Sequence, residues 1–275
     1  MDKKETAKYA LLLILTLALQ QRACAEYIRA TNEEEIILVS TDQEIRMGKS
    51  MAKDVVREFG LDEDSLIQKR IETIGQRIAA VCDRKDISYQ FNVLKGDQMK
   101  PEERLNAFAL PGGYIFIFRD MVNLMETDDE IAGILAHEVG HVAAKHSVKK
   151  AQGSLGAMAL NLVGARMARD TETRMRVNAA IGLLMMSYSR EDESMADRLS
   201  VRYLRKAGYN PEAILSSIDK MMEEYRKMPI RDYSPYQSHP YMAERKAIVK
   251  KEIYGSADFV DFINEPAHIG QNYGE

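Results

Sequence analysis

The sequence predicts an α+β fold, mainly helical, with a small and mostly antiparallel sheet beside one central helix. Three observations carry that expectation. Apolar residues recur at helical spacing through most of the 275 residues. Tyr89, Phe91 and Val93 alternate with polar partners, and two β-prone segments flank Pro111-Gly112-Gly113, so three strands are expected. No apolar run reaches the roughly 18 residues of a membrane span, which excludes a polytopic membrane protein. Composition agrees: 45% hydrophobic and 29% charged residues suffice for a sizeable core. The formal net charge of −4 argues against nucleic acid as a partner. With 2 cysteines there is no disulfide framework and no Cys-rich zinc site, so 5 histidines must cover any metal or acid–base chemistry.

The elements follow in order. Residues 1–25 read as a signal peptide: Lys3, Lys4 and Lys8 precede an apolar run from Tyr9 to Leu19, and Ala23-Cys24-Ala25 is an A-x-A cleavage site. Glu26 is then the first mature residue, and the compartment expected is a bacterial periplasm. Lipid anchoring at Cys24 is the minor alternative, weakened by Gln21 where that signal favours Leu. Cys82 is expected as a buried apolar residue. Residues 26–275 form one domain in this reading. Thr41 to Val81 gives two helices separated by Gly60 and Asp62-Glu63-Asp64. The strand Tyr89–Val93 ends at Lys95-Gly96-Asp97, and Asn106–Leu110, the Pro111 turn and Tyr114–Phe118 complete the sheet. Thr127, three residues before Glu130, has capping-box spacing and opens a helix from Asp128 to about His146. Further helices are expected over 154–168, 174–188 and 191–207, the last stopped by Gly208, with Pro211 opening the next. A proline-rich loop from Met228 to Tyr241 precedes a helix from Ala243 to Lys251. Met158, Met167, Met175, Met185 and Met186 are assigned to core packing, with a soft surface for unfolded polypeptide or peripheral membrane association as the alternative.

The chemistry concentrates in His137-Glu138-Val139-Gly140-His141, an H-E-x-x-H motif inside the capped helix. Residues i and i+4 project from one face, so both imidazoles can reach one zinc ion. Glu138 is about 100° round the helix, placed to take a proton from zinc-bound water. Two histidines leave the metal short of a ligand. His146 falls about 180° from His137 on a continuous helix and is excluded by phase. Glu193 and Asp197, again i and i+4, suit a division in which Glu193 binds the metal and Asp197 accepts the free N–H of a ligand histidine; Glu191 is the rival ligand. His239 is the first candidate to stabilise the tetrahedral oxyanion, with Tyr241 and Arg245 behind it, or it caps the zinc as a fourth ligand in a resting state. The Tyr114–Phe118 strand is expected at the sheet edge to which an extended substrate adds, with Asn106 holding substrate backbone or forming a turn. His268 has no assignment.

The chain resembles the HtpX-like and CaaX-protease-like zinc metallopeptidases, in particular their soluble secreted bacterial members. The resemblance runs through Asn106 to Gly113, the His137–His141 motif, Ser189-Arg190-x-x-Glu193-x-x-Ala196-Asp197, and Ser238-His239-Pro240 with Glu244-Arg245. It implies a zincin-like (gluzincin) domain holding one zinc ion, with His137, His141 and Glu193 as ligands, Glu138 as general base and Asp197 as the partner of a ligand histidine. The function it implies is a secreted metalloendopeptidase that cuts unfolded or misassembled envelope proteins, its partners being unfolded or extended polypeptides. The rival expectations are a chaperone-like binding protein with a structural or latent zinc site, and a zinc hydrolase of a non-peptide bond.

Overall fold

A computed structural model describes residues 25–153, 188–227, 239 and 242–257. The signal-peptide residues up to Cys24, the Met-rich segment 158–186, Tyr241 and His268 lie outside the described residues, as do most of the helices expected over 154–188. Among the described residues no helix is long and apolar enough to cross a membrane.

The described chain opens with a hairpin the sequence does not announce, β1 (Ala25–Ile28) paired antiparallel with β2 (Glu33–Ile36). Its glutamates find cations elsewhere: Glu26 meets Lys145 at 2.6 Å and Glu35 meets Lys149 at 2.7 Å. Helices α1 (Thr41–Phe59) and α2 (Ser65–Ala79) follow where the periodicity puts them. Ser40 and Gln43 cap the first reciprocally, and the Asp64 side chain accepts from the N–H groups of Leu66 and Ile67 at the start of the second.

The sheet comprises β3 (Gln90–Leu94), β4 (Ala107–Leu110) and β5 (Tyr114–Phe118), in the order β3-β5-β4. Of the three strand pairs in the described residues, β1–β2 and β4–β5 are antiparallel; β3–β5 is parallel. The reason is topological. The chain leaves β3, returns antiparallel as β4 two strand positions away, and the tight turn at Pro111–Gly113 then brings β5 back into the gap. Consequently the Tyr114–Phe118 strand is central, paired on both sides, and the expectation that it forms the substrate-facing edge is corrected. Alternation sorts the sheet's side chains into two faces. Phe91, Val93, Ala107, Ala109, Ile115 and Ile117 pack on one side with Ile71, Ile74 and Ile78 of α2 and with Ile131 and Leu135. Leu94, Phe108, Leu110, Tyr114, Phe116 and Phe118 pack on the other with Met51, Ala52 and Val55 of α1. A strand covered on both faces needs apolar residues at every position, which is why β5 reads Tyr-Ile-Phe-Ile-Phe.

After the short α3 (Arg119–Leu124) comes the central helix α4 (Asp128–Ala143), capped as expected by the Thr127–Glu130 box and buried from Glu130 to its end. Helix α5 (Arg190–Ala207) crosses it and stops at Gly208, whose φ of 74° is left-handed. Helices α6 (Ala213–Lys227) and α7 (Met242–Tyr254) close the domain over α4 and α5.

Candidate metal centre

Helix α4 brings His137 and His141 onto one face one turn apart, their Nε2 atoms 3.0 Å from each other. Helix α5, capped by the Ser189 hydroxyl, turns Glu193 toward them, with its two carboxylate oxygens 3.4 Å from His137 Nε2 and from His141 Nε2. His239, immediately before α7, adds Nδ1 at 3.2 Å from His137 Nε2 and 2.9 Å from Glu193 Oε1. One donor atom from each of these four buried residues lies within 4.8 Å of all the others. Glu191, the rival ligand, is exposed and outside this group.

The protons decide what the group fits. Asp197 is fully buried and its Oδ1 is 2.8 Å from His137 Nδ1. Arg245 Nη2 is also 3.1 Å from this nitrogen, but Asp197 is the nearer partner; a carboxylate only accepts, so the shorter contact places the His137 proton on Nδ1 and a bare lone pair at Nε2. Burial pulls the His141 imidazole down to about 4, into the neutral form. Two imidazole nitrogens and a carboxylate then converge, and Glu193 Oε2 is buried with no hydrogen-bond partner. Converging lone pairs in a dry site repel each other unless a cation sits among them, and two imidazoles with one carboxylate are a zinc donor set. Arg245 lies behind it. Its Nη2 and Nε donate to Asp197 at 2.8 and 3.1 Å; burial would raise both carboxyls, but Arg245 holds Asp197 below its ordinary range, and His239 first, with Arg245 behind it, does the same for Glu193. Arg245 therefore supports Asp197, and it also lines the cavity beside His137, Glu138 and His239. Tyr114 packs on α1 and is not brought to the centre. Asn106 is brought there, buried at the start of β4, where it lines a mainly apolar cavity beside His137, Glu138 and His239 together with Leu105, Ile134, Ile218 and Met221.

Glu138 is buried next to the group, with Oε1 3.1 Å from His239 Nε2 and Oε2 unpartnered. Burial would raise its carboxyl, but the nearby imidazoles, His239 first, hold it below the ordinary value. Against the pull of burial, His239 is in turn pushed up to about 10 by Glu193 and Glu138.

Four motifs in order, a capped central helix and this donor set are what a metallopeptidase domain provides, and the family model of peptidase family M48 matches residues 65–253. The chain belongs to peptidase family M48. That family consists of zinc metallopeptidases, in agreement with the resemblance read from the motifs. Similar proteins include the beta-barrel assembly-enhancing protease of Yersinia pestis, 25% identical over 199 residues that cover 68% of this chain and 39% of that one. The mitochondrial metalloendopeptidase OMA1 of Schizosaccharomyces pombe is 27% identical over 199 residues, 71% of this chain and 57% of its own. Metalloprotease LoiP of Escherichia coli is 28% identical over 195 residues, 69% and 71% of the two chains. The chain thus spans well under half the length of the assembly-enhancing protease.

Three features of this M48 site are absent from the sequence reading. Helix α4 does not run on to His146: Ala144 caps it, Lys145 has a φ of 56°, and a new helical segment opens at His146. The exclusion of His146 from the metal group stands, since it is not among the four donors, but the phase argument for it does not, because no continuous helix connects the two. Tyr188, just ahead of the Ser189 cap, stacks on the His141 ring at 4.0 Å with its hydroxyl buried and unpartnered. Its only sequence signal is its place before the cap. Gly140, which costs helix stability, has a reason: a Cβ there would stand 3.0 Å from the Ala196 carbonyl oxygen and 3.2 Å from Ala196 Cα. Glycine lets α5 approach close enough for Glu193 to reach the histidines. Gly140→Ala is expected to push α5 outward by a few tenths of an ångström and weaken zinc binding while raising intrinsic helix propensity. Chelator competition measures the former, and unchanged affinity would remove this role.

Proposed function

We propose that the chain is a zinc-dependent metalloendopeptidase that cleaves unfolded or misassembled proteins of the bacterial envelope. The observation that carries the peptidase reading is the unpartnered Glu138 Oε2, buried beside the His137–His141–Glu193 donors. What the metal supplies when bound is Lewis acidity, which lowers the pKa of water toward about 7 and polarises a carbonyl. Glu138 Oε2 takes the proton of the attacking water and delivers it to the leaving amine nitrogen. Asp197, held by Arg245, keeps His137 in the tautomer that ligates through Nε2. Of the two outer strands, β3 and β4, the position of Asn106 supports β4 as the one beside which an extended substrate lies, since Asn106 stands at its start and lines the cavity next to the donors. The apolar cavity alongside suits an apolar substrate side chain. Envelope proteins as substrates rest on the expected signal peptide and on the names of the bacterial relatives, one of which enhances beta-barrel assembly.

For His239, Nδ1 stands within the donor group, and zinc binding there would displace its proton, which favours the resting-state ligand over the oxyanion donor. Four protein donors close a zinc site, whereas a catalytic one keeps a position open. His239→Ala is expected to loosen zinc modestly and to raise cleavage; a fall in kcat of about 10²–10³-fold would instead assign His239 to the oxyanion.

The deciding experiment exposes the zinc-loaded chain to an unfolded, casein-like protein beside small amide and ester substrates. Chelator-sensitive cutting of the protein substrate is expected. Turnover of the esters alone would favour a hydrolase of another bond, and tight binding of unfolded protein without cutting would favour the chaperone-like reading.

A further inference from the structure

His146 is buried, 3% exposed, and stands at a break for which the sequence gives no local reason. Ala and Lys are strong helix formers, yet Lys145 adopts a left-handed conformation that costs a non-glycine residue about 1 kcal/mol or more. On an uninterrupted helix His146 would lie about 140° round from His141, and their side chains would not meet. The break brings His146 Nδ1 to 2.9 Å from His141 Nδ1, with the two rings 73° apart. On its far side His146 Nε2 is 3.3 Å from Asp192 Oδ1, and Asp192 also accepts the Ser189 hydroxyl at 2.9 Å. The N-terminal hairpin braces the segment from outside, through Glu26 on Lys145, Glu35 on Lys149, and the Gln152 side chain between Ile36 O and Leu38 N.

We propose that His146 is a positioning residue for the ligand His141, and that Asp192 fixes it in that role. Asp192 only accepts, so His146 carries its N–H on Nε2 and offers a lone pair at Nδ1. Two Nδ1 atoms in contact share one proton, so His141 holds it and donates to His146. That leaves the His141 lone pair on Nε2, the atom facing His137 and Glu193. The two ligand histidines are thus oriented differently: His137 by Asp197 directly, His141 by a carboxylate acting through a second imidazole.

The inference rests on the zinc-site reading above, and its test reads affinity and tautomer as well as activity. In the full chain, His146→Leu, His146→Gln, Asp192→Ala and the double variant His146→Leu/Asp192→Ala are compared. Zinc dissociation constants come from chelator competition, and the His141 tautomer from nitrogen-15 NMR of the metal-free protein. His146→Leu is expected to weaken zinc binding by about 10–100-fold and to turn a single Nδ1–H tautomer of His141 into a mixture. His146→Gln, whose amide oxygen can accept from His141, recovers most of the affinity. Asp192→Ala loses less than His146→Leu, and the double variant loses no more than His146→Leu alone, because the two act in series. Unchanged zinc affinity in His146→Leu, or a Gln variant as weak as the Leu variant with the His141 tautomer unaltered, would overturn the proposal. Should the Leu variant fail to fold, Gln and Asp192→Ala decide by the same readouts. If the unaltered chain binds no zinc, the site reading falls and this inference with it; if it binds and His146→Leu binds equally well, only the inference falls.

Discussion

Glu138→Gln is expected to lower kcat for peptide cleavage by about 10²–10⁴-fold, the span that a positioned general base contributes. The substitution is nearly isosteric and removes the charge that receives the proton. Zinc should stay bound, because Glu138 is not among the four donors gathered around the metal position. Thermal stability should fall only modestly: Oε2 has no hydrogen-bond partner to lose, and the Gln oxygen can still accept from His239 Nε2, although a charge no longer faces that imidazole. The measurement pairs single-turnover cleavage with zinc content on the same sample. Full activity in the Gln variant would mean that another group accepts the proton, and loss of zinc would mean that Glu138 serves the metal and not the water.

The largest effect on folding is expected at Glu44, far from any reacting atom. Glu44 on α1 is fully buried and receives two hydrogen bonds from Arg84, at 3.0 and 2.6 Å, and one from the Gly112 backbone N–H at 2.8 Å. Arg84 also donates to the Val142 carbonyl at 3.1 Å, directly after the second ligand histidine. One ion pair therefore ties α1, the turn between β4 and β5, and the end of α4. Glu44→Ala leaves the buried Arg84 with only the half-exposed Asp86, 3.2 Å from its Nε, as counter-charge and leaves the Gly112 N–H unmatched, which costs about 3 kcal/mol and lowers Tm by roughly 10 °C in a domain of this size. Replacing both partners by methionine should cost less, since no charge is then stranded. Thermal unfolding of the zinc-loaded proteins checks this, and a Tm within a degree of the unaltered chain would contradict it.

What the sequence made legible was local. The i, i+4 spacing of His137 and His141, the Thr127–Glu130 box, and the stop at Gly208 each depend on neighbours within a turn or two, and each appears in the structure as read. Glu193 could be sought because two imidazoles do not complete a zinc shell. Long-range facts were not legible. Nothing in the residues of β5 says that it enters between β3 and β4; its uniformly apolar pattern fits burial on both faces and is silent about its neighbours. The hairpin β1–β2 was missed because three successive glutamates make a poor isolated strand, and Glu26 and Glu35 are matched only by lysines more than a hundred residues away. The turn at Lys145 is set by the same long-range pairing, against local propensity, so periodicity carried the helix past it to His146. Asn106 and Tyr114 illustrate the divide within one short stretch: both are buried, but the sheet turns only Asn106 toward the metal donors.

Whether His137, His141 and Glu193 hold a catalytic zinc is decided by a zinc titration of the metal-free chain. Cleavage of an unfolded protein should rise with added zinc and level off at one equivalent, and Glu193→Ala should abolish both tight binding and cleavage. Tight zinc binding that survives Glu193→Ala, or stoichiometric zinc without cleavage in both the unaltered chain and His239→Ala, would contradict it.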